Sequence, residues 1–159
     1  MKSATLHQIK KELEKQAPAK LLELFVKLIK HKTENKELIS YLLFDEDQLA
    51  DYIYDLKGDI SEMLGDMLRL PPYQAKRTLR KTLRFITRYS KYTGAKETEV
   101  ELLIYVCQWL LDHQLHKHHS KVIPSIYFKQ LEKIEKLSST VHEDLKHDYL
   151  NTVKALRGF

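Results

Sequence analysis

Histidines are the first residues in this sequence whose spacing could do chemistry. His113, His116, His118 and His119 fall within seven residues, with Asp112 beside them. On a helix that persists so far, His113 and His116 are three apart and share a face, where imidazoles could ligate zinc, nickel or copper. Against a metal stand Lys117 and Lys121, which repel a cation, and the ordinary preference of histidine for the last carbonyls of a helix. His113 and His116 are therefore weak metal candidates, and no cofactor is expected. His142-Glu143-Asp144-Leu145-Lys146-His147 has a zincin look, but its histidines are five apart rather than four. That separates them by about 140° around a helix. Asp144 and His147 are spaced like one half of a carboxylate-bridged iron site, and the second half is missing.

Nucleophiles are no more promising. The lone cysteine, Cys107, sits in the most apolar window, Leu102 to Leu111. A reactive thiol needs a cationic, partly exposed setting, so Cys107 reads as a small core residue. None of the eight serines stands in a Gly-x-Ser-x-Gly context, and neither a P-loop nor a GxGxxG occurs. The expectation is a protein that is not an enzyme. One cysteine also excludes an internal disulfide and a multi-cysteine zinc site, which favours a reducing, cytoplasmic setting.

Charge is the more distinctive feature. From Tyr73 to Lys96 there are eight basic residues and no acidic one. At 100° per residue, Lys76, Arg77, Arg80, Lys81, Arg84, Arg88 and Lys91 fall within an arc of about 140°, opposite Ala75, Leu79, Leu83, Ile86 and Tyr89. Guanidinium groups suit phosphate oxygens, and a stripe roughly 22 Å long could follow a nucleic-acid backbone, with Tyr92 near its edge. The preceding segment is opposite in sign: Asp45 to Asp66 holds eight carboxylates against Lys57 alone. Asp47, Asp51, Asp55, Asp59, Glu62 and Asp66 gather on one arc, away from Leu49, Ile53, Leu56, Ile60 and Leu64. The plain alternative to binding is that the two faces are solvated or pair with each other, which would damp any long-range attraction.

The elements that carry these residues are all helical. Glycine and proline number four each, too few for a turn-rich or many-stranded fold, and no segment alternates with period two. A first helix starts after Ser3 or Thr5 and stops near Gln16; a second runs from Pro18 to about Lys32. After a Thr33 to Asn35 connector, Lys36 to Phe44 forms a short helix. Asp45-Glu46-Asp47 opens a helix to about Leu68, weakened at Gly58 and Gly65. Pro71-Pro72 separates it from Tyr73 to Thr93, which Gly94 closes. Thr98 to about Leu115, Val122 to Leu137 and Val141 to Leu156 complete the chain, with Thr140 and Glu143 spaced as a capping box. The helix around Cys107 is apolar on most sides and should be the centre of the core. No apolar stretch is long enough to cross a bilayer, so no membrane insertion is expected.

Four stretches resemble an uncharacterised family of bacterial all-helical proteins. These are the Leu6 to Leu13 run, Lys20-Leu21-Leu22-Glu23-Leu24, Glu34-Asn35-Lys36-Glu37-Leu38 on to Leu43, and the helix holding Ala75-Lys76-Arg77. The resemblance spans residues 1–110 and implies an all-α fold and a bacterial source. It brings no activity and no functional residue. The expectation is thus a single all-α domain, 1–159, of seven to eight helices, built as an irregular bundle or a short αα-superhelix. Its expected role is non-catalytic interaction or scaffolding through the charged faces of residues 45–96. A protein is the expected partner, with nucleic acid on the arginine stripe as the alternative.

Overall fold

A computed structural model describes residues 3–117 and 121–158. Among the described residues the fold is all-α, with eight α-helices and no strand. The chain divides into two compact units, Met1–Phe44 and Asp45–Phe159.

The first unit holds α1 (Leu6–Leu13), α2 (Pro18–His31) and α3 (Thr33–Ser40). A capping box opens α1: the Gln8 amide donates to Thr5 Oγ1, and the Thr5 amide donates to Gln8 Oε1. Pro18 occupies the first turn of α2, where its missing N–H costs nothing. Lys20 and Lys27 both bond Glu23, at 2.8 and 2.7 Å, and hold its carboxyl below the ordinary range. Thr33 to Asn35, expected as a connector, form the first turn of α3, and Asn35 donates to the Leu28 carbonyl at 2.7 Å. After Ser40 the helix widens into a π-type turn, Tyr41–Asp45, rather than continuing to Phe44. Tyr41 is the one buried side chain among the described residues of this unit, while Leu6, Leu22, Leu43 and Phe44 are well exposed.

The second unit is a helical bundle. A short 3₁₀ turn (Glu46–Gln48) leads into α4 (Leu49–Met67), followed by α5 (Pro72–Tyr89), α6 (Lys96–Asp112), α7 (Val122–Ser138) and α8 (Glu143–Arg157). As the sequence pattern predicts, α6 is the centre: it packs against α4, α5, α7 and α8. Val100, Leu102, Leu103, Val106, Cys107 and Leu110 are all completely buried. Among the described residues no helix is long and apolar enough to cross a membrane.

Several helix ends differ from the sequence expectation for local reasons. The helix expected to reach Thr93 ends at Tyr89, because Thr93 Oγ1 donates to the Ser90 carbonyl and accepts from the Ala95 amide, holding a turn. Gly94 completes that turn in the left-handed region, φ 66°. At its other end α6 stops at Asp112, where Gln114 also enters the left-handed region, φ 55°. The Thr140–Glu143 capping box does not form. Thr140 Oγ1 instead donates to the Leu137 carbonyl at the end of α7, and His142 precedes α8 without a side-chain cap bond.

Neither Gly58 nor Gly65 breaks α4. A methyl added at either glycine meets nothing within 4 Å. Gly58→Ala and Gly65→Ala should therefore each stabilise the fold by ~0.5–1 kcal/mol in urea unfolding. Gly94→Ala should destabilise it by ~1 kcal/mol, because alanine is strained at positive φ.

Candidate functional site

α5 is positioned by its sequence in three ways. Pro71 and Pro72 end α4's turn and begin α5 with φ already set, and the Ala75 amide bonds the Pro71 carbonyl at 2.9 Å. Ala75, Leu79, Thr82 and Ile86, spaced four, three and four apart, form the buried stripe. Thr82 is completely buried, and its hydroxyl is satisfied by the Thr78 carbonyl at 3.2 Å. With that face fixed inward, the cations turn outward. Arg77, Arg80, Lys81 and Arg84 are exposed, and Lys76 and Arg88 are half-buried. Lys91 is exposed too, but it lies beyond the helix, in the turn after Ser90. Tyr92 is not free to stack a base: it meets Tyr89 edge-on at 5.6 Å and its hydroxyl accepts from Arg88 Nε at 3.4 Å.

α4 packs beside α5, and Tyr52 Oη donates across to the Tyr89 carbonyl at 3.3 Å. Leu56, Ile60, Leu64 and Met67 are buried, which leaves Asp51, Asp55, Asp59, Glu62 and Asp66 exposed. Asp47, also exposed, sits in the 3₁₀ turn before the helix. For six of the seven stripe cations, the two charged faces do not neutralise each other through contact. Among the described residues, none of Lys76, Arg77, Arg80, Lys81, Arg84 and Lys91 forms an ion pair within 4.0 Å. The self-paired arrangement weighed from the sequence is absent for these six, and the solvated one is present. Glu99 of α6 accepts from the Thr87 hydroxyl of α5 at 3.1 Å, but its charge is met by Lys133 of α7 at 2.6 Å.

Two shallow grooves run along the α4–α5 seam. Asp66, Arg69, Leu70, Thr78 and Lys81 line the first with Met63, and Lys81, Arg84, Phe85, Arg88 and Tyr89 line the second with the same Met63. Thus Arg69, which the stripe does not include, joins the basic surface through the interhelix turn. The only sequence sign of this was its place three residues ahead of Pro72. Across the outer surface of α4 toward α6, Tyr54, Asp55, Lys57, Gly58, Asp59, Ser61 and Tyr105 line an open groove of about 620 Å³. Lys57 there is paired with Glu101 at 2.6 Å, and Ser61 and Tyr105 share a hydrogen bond. Tertiary pairing assembles that groove, so helical periodicity could not show it.

The metal candidates are not brought together. His113 is exposed, stacked on Trp109 at 3.9 Å, with Nδ1 2.8 Å from the Trp109 carbonyl. His116 lies in a separate 3₁₀ turn, Leu115–Lys117, buried against Tyr127, and neither of its ring nitrogens has a hydrogen-bond partner among the described residues. The break at Gln114 separates them. His118 and His119 lie outside the described residues. Among the described residues no three His, Cys, Asp or Glu side chains converge. His142 and His147 are exposed, and His142 Nδ1 lies 3.4 Å from Asp144.

Cys107 is buried, and burial pushes its thiol up to about 12. Burial, then the neighbouring Cys107, pushes Tyr127 up to about 12 as well, and Tyr127 Oη donates to the Leu156 carbonyl at 2.6 Å. In the unfolded chain these groups ionise near ~8.5 and ~10. Between those values and about 12 the unfolded chain gives up protons that the folded chain keeps, so stability falls as pH rises through this range. Melting temperature should therefore drop from pH ~8 to pH ~10 more steeply in the wild type than in Cys107→Ala. A thiol reagent should label Cys107 only once the protein unfolds.

No protein-family model, curated protein or solved structure matches this chain.

Proposed function

We propose that the protein is a non-catalytic interaction protein whose working surface is the charged faces of residues 45–96, and that the basic outer face of α5 docks an acidic protein surface. One observation carries this reading: Arg77, Arg80, Lys81 and Arg84 point outward without ion pairs although an eight-carboxylate segment lies next to them. These charges are left to solvent and stand ready for a partner of opposite sign.

Nucleic acid is the second reading. It draws on the spacing of the exposed arginines, since Arg77, Arg80 and Arg84 rise along one side of α5 over roughly 10 Å. That interval is comparable with a few phosphates of one strand.

Fluorescence anisotropy separates the two. A labelled Asp/Glu-rich peptide and labelled single- and double-stranded DNA and RNA are titrated at low and high salt. The peptide should bind at low salt, weaken as salt rises, and lose at least about tenfold in affinity to the Arg80→Glu/Arg84→Glu variant at unchanged circular dichroism. Tighter, arginine-dependent binding of nucleic acid would put the second reading first. No binding of either probe at low salt would overturn both.

A further inference from the structure

α4 and α5 form a helical hairpin closed by the Leu68–Pro71 turn, and their charged stripes face outward on the two sides of one seam. Met63 and Phe85, both half-buried, lie in that seam, with Lys81 and Arg84 on one flank and Asp66 on the other. The remaining carboxylates of α4, Asp51, Asp55, Asp59 and Glu62, continue the acidic flank. A surface so divided is complementary to itself. A two-fold axis laid along the seam, parallel to the helices, sets α4 of one copy over α5 of the other and repeats the match on the opposite side. Each acidic stripe then faces a basic one, and the Met63–Phe85 seams of the two copies meet at the centre.

We propose that the protein forms a two-fold homodimer through the outer face of the α4–α5 hairpin, the acidic stripe of each copy seated on the basic stripe of the other. This rests on the reading of α5 as a docking surface and names its partner: a second copy of this chain. The anatomy agrees with known interface physics, an apolar centre with a charged rim that sets register. The size is modest. Two helices side by side are about 20 Å wide and α5 is about 27 Å long, so the contact removes about 500 Å² per copy, about 1,000 Å² in all. That is the lower bound for a specific interface, which with its charged rim makes the dimer weak, reversible and salt-sensitive. It also covers Arg80 and Arg84, so dimerisation competes with any other acidic ligand.

Sedimentation equilibrium of the full chain tests this. At about 50 mM salt the wild type should be in monomer–dimer equilibrium, and at about 500 mM the dissociation constant should rise by at least about tenfold. Arg80→Glu/Arg84→Glu and Asp55→Lys/Asp59→Lys should each be monomeric, because like charges then face each other across both halves of the contact. Mixed one to one, they should form a heterodimer, since each reversed stripe meets its reversed counterpart. Should either variant fail to fold, carbodiimide coupling of the wild type gives an independent readout. It should join Lys81 to Asp55, Asp59 or Glu62 between copies, in the dimer fraction only.

A wild type that stays monomeric at low salt overturns the proposal, and so does a mixture of folded variants that stays monomeric. A dimer indifferent to salt and to both charge reversals uses some other surface and overturns it too. In the wild-type monomer case, salt-dependent binding of the acidic peptide would leave the docking role of α5 standing.

Discussion

Val100, Leu102, Leu103, Val106, Cys107 and Leu110 take α6 out of water on most sides, and that single buried helix dictates the character of its neighbours. A helix apolar around most of its circumference must be wrapped, and α4, α5, α7 and α8 do so. Each of the four needs to contribute only one apolar stripe. For α5 that stripe is Ala75, Leu79, Thr82 and Ile86, of which only two are large apolar residues. A fully buried leucine or isoleucine contributes roughly 1.5–3 kcal/mol, whereas an exposed ion pair contributes about 0–1 kcal/mol. Stability is therefore settled on the α6 side of α5, and the composition of its outer side is left to other demands.

The ion pairs that do exist support this division. Lys57–Glu101 ties α4 to α6, and Lys133–Glu99 ties α7 to α6, each at 2.6 Å and partly sheltered from solvent. Glu99 and Glu101 point to opposite sides of the central helix, about 160° apart, and each meets a cation from a different helix packed on it. Such pairs fix the rotation of one helix against another. The Tyr127 bond to the Leu156 carbonyl does the same between α7 and α8. Because Glu99 is satisfied by Lys133, it cannot serve as counter-charge to the arginines, and the basic surface keeps its sign.

Helical periodicity located the core helix and the inward and outward faces of α4 and α5, each a pattern repeated over four or more turns, and the Pro71–Pro72 pair marked the hairpin between α4 and α5. What escaped it depends on single hydrogen bonds or on tertiary neighbours. The Thr93 hydroxyl ends α5 four residues early, and the Thr140 hydroxyl prefers the end of α7 to capping α8. Both choices are between two local partners of similar worth, which a spacing rule cannot rank. His113 and His116 share a face only on a helix that persists past them, and this one stops at Asp112, because nothing in the sequence announced a left-handed Gln114. Arg69 joins the basic surface only through the fold of the hairpin. The outward direction of the stripe was legible; that Arg77, Arg80, Lys81 and Arg84 meet no carboxylate among the described residues was not, because that depends on where each helix is rotated about its axis.

That rotation explains how opposite charges can be neighbours without meeting. Helices pack about 8–10 Å apart, and side chains directed away from the shared core diverge rather than converge across that gap. Bringing Arg80 or Arg84 onto the α4 carboxylates would require rolling α5 and exposing Leu79 or Ile86, a loss of several times the gain from an exposed pair. The Debye length at physiological salt is about 8 Å, close to the same separation. Seen from far away, the −7 of the acidic segment and the cations of α5 largely cancel, so neither draws a ligand in by long-range steering. In contact the two stripes are distinct, because a partner that touches one lies nearer to it than to the other by about a screening length. A surface with that property selects at short range, by register and sign, and this is the behaviour of a docking face rather than of a general electrostatic trap.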